Sequence, residues 1–345
     1  MLRAMKTEIQ LRKDELQNRS LKSLYFGGGT PSILSVDEIN SLIDEVLHHF
    51  SFEKDIEITL EANPDDLDKN FLKQLAGIPV NRLSIGTQSF FEEDLKLMNR
   101  AHTASEAEGS IKRAQDFGFE NLSIDLIYGS PTSNLEIWKE NLHKTIALEV
   151  PHISSYALTV EPKTALDNWI SKGKVKSPKE EEQNREFYYL SDFLKDHGFE
   201  HYEVSNFAKP GFYSRHNSSY WKYQEYLGIG PSAHSYNGFD VRSWNVANNQ
   251  QYIKKLSTKL LAKEEEILSQ EDQFNEMIMI GLRTIWGVDL KSLREKFDNR
   301  FLDHFQNEIK DKIGEGILII EDEHLKIQEK HWFMADGIAS DLFMV

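Results

Sequence analysis

Short apolar runs alternate with amphipathic stretches along the first 158 residues. Residues 1–16 read as a helix, with Leu2, Met5, Ile9, Leu11 and Leu16 loosely at helical spacing. The apolar run 21–26 predicts a buried strand, followed by a helix over 36–50. A strand at 56–62 leads to a helix around 66–75. The strand at 82–87 leads to a short helix at 92–98 and a longer one at 104–117. A strand at 121–128 precedes a helix at 134–148, and a strand at 152–158 closes the series. Three of these helices open on a capping box: Ser35 with Glu38, Thr103 with Glu106, and Ser133 with Glu136. Alternation this regular implies right-handed βαβ units and one parallel sheet of five strands in order, with the 21–26 strand at an open edge. Such an edge invites pairing with a second copy, so a homodimer is one expectation.

The pattern then changes. A charged passage, 172–182, enters a helix at 183–197, and 201–204 offers one more strand. Residues 206–238 are rich in Gly, Ser, Tyr, Asn and Trp with little periodicity. They read as a long aromatic loop of the kind that carries function. The tail predicts helices at 274–284, 290–297 and 301–313, two short strands around 317–320 and 325–327, and a last helix from Lys330. Three helices and a hairpin suggest a winged-helix-like domain, without the basic face that DNA recognition needs.

Composition narrows the function classes. The 345 residues carry a net charge of −16, which argues against general nucleic-acid binding. The apolar fraction of 39% supports a sizeable core, yet no apolar run approaches a membrane span and no signal peptide precedes the first helix, so a cytoplasmic location is expected. There is no cysteine, which removes disulfides, zinc–thiolate sites, cysteine-held iron–sulfur clusters and cysteine nucleophiles from these residues.

Candidate chemistry starts at Tyr25-Phe26-Gly27-Gly28-Gly29-Thr30-Pro31, a glycine turn between strand and helix. Without a Cβ, a ligand can lie directly on backbone N–H and C=O groups at the end of a strand, where parallel sheets hold their ligands. The spacing is neither a Walker A loop nor G-x-G-x-x-G. Polar residues recur at the following strand ends: Glu61, Gln88, Arg100 just beyond, and Asp125. Asp125 with Arg100 also reads as a structural ion pair. The recurrence at successive strand ends, beside a glycine loop, favours a polar ligand site.

Four stretches together resemble a known family. They are Phe26-Gly27-Gly28-Gly29-Thr30-Pro31, Glu61-Ala62-Asn63-Pro64, residues 82–90 and residues 121–129. They resemble oxygen-independent coproporphyrinogen III oxidase and its relatives, which are radical S-adenosylmethionine (SAM) proteins. The resemblance implies an α/β fold: an incomplete (β/α)6 barrel with five parallel strands retained, plus the winged-helix-like tail. It implies that Gly28, Gly29 and Thr30 meet the methionine end of SAM and Glu61 its ribose side. In the oxidase branch Gln88, Arg100 and Asp125 would line a second SAM position. A second segment, Arg215-His216-Asn217-Ser218-Ser219-Tyr220-Trp221, resembles the HemW-type haem chaperones, whose H-N-x-x-Y-W stretch is associated with haem binding. A lone histidine among aromatics is more often a core residue. The resemblance reverses that for His216 as an iron ligand, with Asn217, Tyr220 and Trp221 around it and Arg215 or Lys222 for a propionate. It leaves His234 structural.

The family's [4Fe–4S] cluster sits on a C-x-x-x-C-x-x-C loop after a first strand, and neither is in this sequence. N-terminal truncation is the simplest expectation, natural loss the other. No catalytic residue is assigned here. The resemblance thus implies haem binding and delivery to acceptor haemoproteins. Coproporphyrinogen III oxidase chemistry is one alternative and a cluster-less scaffold the second. The expected segments are a partial barrel at 1–205, an aromatic segment at 206–265 and a helical domain at 266–345.

Overall fold

A computed structural model describes residues 1–345. The first half alternates as its periodicity predicts: α1 (Leu2–Arg12), β1 (Ser20–Phe26), α2 (Val36–His49), β2 (Ser51–Ala62), α3 (Lys69–Leu75), β3 (Arg82–Gln88), α4 (Glu92–Leu97), α5 (Ala104–Asp116), β4 (Leu122–Tyr128), α6 (Leu135–Ala147) and β5 (His152–Ala157). The capping boxes Ser35/Glu38 and Thr103/Glu106 form. The third does not. Asn134 caps α6 instead, accepting from the N–H groups of Glu136 and Ile137. An Asn one residue closer to the helix reaches the free N–H groups directly, so Ser133 is left outside.

The second half continues with α7 (Ala165–Ser171), α8 (Glu180–Asp196), β6 (Glu200–Glu203), β7 (Asn206–Ala208), α9 (Arg215–Trp221), β8 (His234–Tyr236), β9 (Val241–Asn245), α10 (Asn249–Ser257) and β10 (Lys263–Ile267). Then come α11 (Gln270–Leu282), β11 (Val288–Asp289), α12 (Leu290–Lys296), α13 (Asn299–Gly314), β12 (Leu318–Glu321), β13 (His324–Ile327) and α14 (Ala335–Ser340). The long loop expected at 206–238 therefore contains two strands and a helix. These elements are three to seven residues long, too short to show a period in a Gly- and Ser-rich stretch. The final helix begins as a 3-10 turn, Glu329–Met334.

The chain divides into two compact units, with borders inside β1, after Ile33, inside β2 and before Ser214. One unit comprises Tyr25–Ile33 and Ile58–Tyr213. The main sheet runs β1-β2-β3-β4-β5-β7-β6, with β2 to β5 pairing in parallel and β6 and β7 added antiparallel beyond β5. Its pleat sorts residues by polarity. Leu60, Leu83, Ile85, Ile124 and Ile153 are fully buried on the helix-covered face. Thr59, Ser84, Ser123, Asp125 and Ser154 alternate with them on the other face.

The other unit comprises Met1–Leu24, Leu34–Glu57 and Ser214–Val345. It carries the sheets β10-β9-β8 and β11-β13-β12. The helices α11 to α13 and the β12–β13 hairpin match the winged-helix-like expectation. Phe274 sits at their centre, 5.3 Å from both the Phe297 and the Phe301 ring. The most demanding contact in this unit is a buried ion pair on α1. Glu8 and Arg12 are each 1% exposed, with Arg12 Nη1 donating to Glu8 Oε1 at 2.9 Å. Arg12 also donates to the Gly228 carbonyl, Ser235 Oγ and Glu15. Glu8 accepts from Gly230 N–H, Asn245 Nδ2 and the Tyr252 hydroxyl. Every charge is thus met by hydrogen bonds, the condition for burying such a pair.

Arg12→Met leaves the Glu8 carboxylate buried without its cation. It is expected to cost about 3–5 kcal/mol, read as a lowered denaturation midpoint. Adding Glu8→Gln in the same chain should recover part of the loss, because no bare charge then remains. A single-variant loss under about 1 kcal/mol, the level of an exposed pair, would contradict the network.

Candidate functional site

The glycine turn after β1 is shaped by Glu61. The Tyr25 hydroxyl donates to Glu61 Oε1 at 2.6 Å, and Gly28 N–H donates to Oε2 at 3.2 Å. Gly27 is obligatory beside this pair: a Cβ there would come within 2.4 Å of Tyr25 Cε1 and 2.6 Å of Glu61 Oε1. Gly28 takes φ +76, where side chains are strained. Around the Cβ positions of Gly28 and Gly29 the space is open for 4 Å. Thr30 turns the chain into a short 3-10 helix, its carbonyl accepting from Ile33 N–H at 3.2 Å. The loop is tied to the β2–α3 turn by Ser32 Oγ, which donates to Asp66 at 2.6 Å and accepts from Asn63 N–H.

Parallel register brings the next residues alongside. Glu61, Ser84, Ser123 and His152 form one row across β2 to β5, and Asp125 and Ser154 share the next. Asp125 therefore faces away from the helix layer, as a ligand residue must. Arg100 Nη2 donates to Asn63 Oδ1 at 2.9 Å and to the Gly86 carbonyl at 3.0 Å. A Cβ on Gly86 would meet Arg100 Nη2 at 3.0 Å and Gln88 Nε2 at 3.1 Å, so Gly86 is what lets both side chains converge. Gln88 itself sits at φ 65, after an irregularity in the β3–β4 register. A non-glycine residue held there is a strained position of the kind found at ligand sites. Burial, and then the Glu61 charge, push the Asp125 carboxyl up to about 7, against the opposing pull of the Ser154 hydrogen bond and of Arg100. Burial and the same two carboxylates push the Tyr25 and Tyr156 phenols up as well. Glu61, Asp125, Tyr25 and Tyr156 thus share one electrostatic environment.

The His216 segment is a helix, not the open loop expected. Ser214 caps α9 by accepting from Asn217 N–H. The buried Glu57 carboxylate accepts from the N–H groups of Arg215 and His216 at 3.1 and 3.0 Å. A carboxylate on the first N–H groups satisfies donors that the helix cannot. Helical spacing then sets His216 beside Tyr220 and Asn217 beside Trp221, each four residues on. His216 Nδ1 lies 3.0 Å from Ser23 Oγ, and Nε2 lies 2.9 Å from the Tyr220 hydroxyl. Burial pushes the imidazole down to about 4, so it is neutral at physiological pH. Tyr220 packs edge-on against Tyr226 at 4.6 Å. The Arg283 guanidinium lies 5.7 Å from the Trp221 ring centre, and the indole N–H is buried without a partner.

The two cations considered for a propionate are engaged: Arg215 pairs with Asp55 at 2.6 Å, and Lys222 lies 4.8 Å from the Trp286 ring centre. His234 is exposed beside Trp244, 6.2 Å away. Three participants were absent from the sequence reading: Glu57, Ser23 and Tyr25 in its role on Glu61. Their signal was period-two alternation, Glu57-Ile58-Thr59-Leu60-Glu61 and Ser23-Leu24-Tyr25, which places each on one face of its strand. No group of three or more His, Asp or Glu side chains is arranged to hold a metal ion, and no helix is long and apolar enough to cross a membrane.

The model of the radical SAM superfamily matches residues 6–144, and that of the HemN C-terminal domain matches residues 268–334. The chain is 35% identical over 322 residues to the heme chaperone HemW of Lactococcus lactis subsp. lactis, covering 92% of this chain and 83% of that protein. It is also 35% identical over 300 residues to the heme chaperone HemW of Bacillus subtilis, covering 86% and 79%. Among solved structures, the coproporphyrinogen III oxidase HemN from Escherichia coli superposes with a TM-score of 0.84 over 99% of this chain and 82% of that one. At 23% identity that likeness concerns the fold.

The Asp125 environment has a pH signature. Its folded pKa of about 7 stands above the ordinary aspartate value of 3.8, so the folded state holds a proton that the unfolded state has released between those limits. Stability is lost as pH rises through this window. Asp125→Asn keeps the neutral shape and does not titrate. Thermal melts from pH 4 to 8 should show the variant gaining on wild type up to about pH 7, then a constant difference. A difference flat across the range would rule out the shifted carboxyl.

Proposed function

This chain belongs to the HemW family of heme chaperones within the radical SAM superfamily, and we propose that it binds haem at the α9 segment and delivers it to acceptor haemoproteins. The observation that carries this reading is the state of His216. A neutral imidazole, fixed on a capped helix with Tyr220 against it, is the form that ligates haem iron. Tyr220 and Trp221 supply aromatic cover for a flat apolar macrocycle, and Asn217 shares their short helix. Arg215 is the cation for a propionate. Its pair with Asp55 is on the surface, where water screens an ion pair so that it adds little and exchanges readily for another carboxylate.

For SAM we propose the group Gly28, Gly29, Thr30, Glu61, Gln88, Arg100 and Asp125. The open space over Gly28 and Gly29, edged by the Glu61 carboxylate, fits a small zwitterion with a cationic centre. When bound, SAM supplies a sulfonium and a methionine end carrying both charges. Gly28, Gly29 and Thr30 would meet its methionine end and Glu61 its ribose side, with Gln88, Arg100 and Asp125 lining a second position. The [4Fe–4S] cluster of the superfamily is a different matter. It needs three thiolates, and these 345 residues contain no cysteine, so they cannot ligate it.

Titration of the purified chain with haemin is expected to shift and sharpen the Soret band to a saturable end point. His216→Ala should reduce the affinity at least tenfold, with unchanged far-ultraviolet circular dichroism. Identical titrations of wild type and His216→Ala would remove His216 as the ligand.

A further inference from the structure

Both nitrogens of the His216 imidazole are engaged. Nδ1 meets Ser23 Oγ at 3.0 Å on one side, and Nε2 meets the Tyr220 hydroxyl at 2.9 Å on the other. Iron ligation requires one free lone pair, so one of these bonds has to break before haem can bind through this residue. The two partners are not equivalent. Ser23 belongs to β1, and its bond to the ring is half-buried. Tyr220 is 37% exposed, at the C-terminal part of a seven-residue helix. Its ring meets Tyr226 only edge-on. Turning the Tyr220 side chain outward costs one hydrogen bond and two edge contacts, with the Tyr226 and His216 rings, and takes the ring toward solvent, whereas Ser23 stands on a strand whose pleat sets the direction of its side chain.

Resting on the haem-binding reading of His216, we propose that Tyr220 is a gate. Its hydroxyl caps the ligating nitrogen Nε2 until haem displaces it, while Ser23 holds Nδ1–H and so fixes the tautomer that leaves the lone pair on Nε2. A ring N–H held by a second group is how metal-bound histidines are generally oriented. The cap occupies the lone pair of the neutral imidazole until cargo arrives, and it makes ligation an exchange that reverses at release. Tyr226, which supports the Tyr220 ring, also lines a cavity of about 340 Å3 whose wall is mixed: apolar side chains such as Leu16 and Val241 stand beside Asn237 and a Lys263 that is paired with Glu15 and Glu265.

The gate predicts opposite signs for its two partners. Stopped-flow mixing of the full chain with haemin should give faster association for Tyr220→Phe, by about fivefold, the factor for one hydrogen bond no longer broken. The phenyl ring keeps the packing on Tyr226. Ser23→Ala should bind haemin about tenfold more weakly, as when a partner behind a ligating histidine is lost. In the haem-free protein, nitrogen-15 shifts of His216 should report protonated Nδ1 in both wild type and Tyr220→Phe. If Tyr220→Phe binds more slowly or more weakly while His216→Ala abolishes binding, the Tyr220 hydroxyl itself holds the haem and the gate is wrong. Protonated Nε2 in the free protein would overturn it equally. If His216→Ala binds as wild type does, the underlying haem site fails, and the gate with it.

Discussion

A carboxylate placed on the inner face of a sheet must be given hydrogen-bond donors, and β2 places two. Glu57 and Glu61 alternate on that strand with Ile58, Leu60 and Ala62, which are buried. Glu61 takes the Tyr25 hydroxyl and the Gly28 N–H. Glu57 takes the first two N–H groups of α9. The pleat of one strand thus decides where the glycine turn folds and where the haem-motif helix starts. Each consequence is local and obligatory. Gly27 has no room for a Cβ because the Tyr25–Glu61 pair fills that space. The His216 ring has a defined position because its helix begins on a fixed anion.

The inner face of the main sheet is polar to a degree that a packed core would not tolerate. Ser84, Ser123, Asp125 and Ser154 stand where a closed hydrophobic layer would have Val or Leu. Burial, and then the nearby Glu61 carboxylate, drive the Asp125 carboxyl toward its neutral form. The backbone shows a related strain at Gln88. Polar lining, a raised carboxyl and a strained residue at the strand ends together describe a surface shaped for a ligand and not for internal packing.

Polar contacts in this chain fall into two kinds. The Glu8–Arg12 network is fully buried and fully paired, so no member can leave without exposing a bare charge. The bonds around α9 are different in kind. Tyr220 is partly in solvent, and the Arg215–Asp55 pair lies on the surface. Water can replace either at little cost. The first kind makes a permanent frame, and the second can rearrange without disturbing it.

Much of this was written in the chain as a linear pattern. Hydrophobic period alone located α1 to α6 and β1 to β5, because each of those elements buries one face and is long enough to repeat. The parallel order followed from their alternation, and the glycine turn from three residues without side chains. The motifs around Gly28, Glu61, Asp125 and His216 were enough to indicate the family. β7, α9 and β8 lie in a Gly- and Ser-rich stretch that left no period to detect, since their formation depends on partners far away in sequence. The Asn134 cap was missed because two adjacent residues can both cap, and only the helix's first turn chooses between them. Which residues meet was decided by tertiary structure. Ser23 and His216 are 193 positions apart, and Glu57 and His216 are 159 apart. No local pattern carries such a pairing. It arises only when a strand's pleat and a helix's start are brought to hydrogen-bond distance, and with it come the depressed imidazole, the engaged Arg215 and the tyrosine over Nε2.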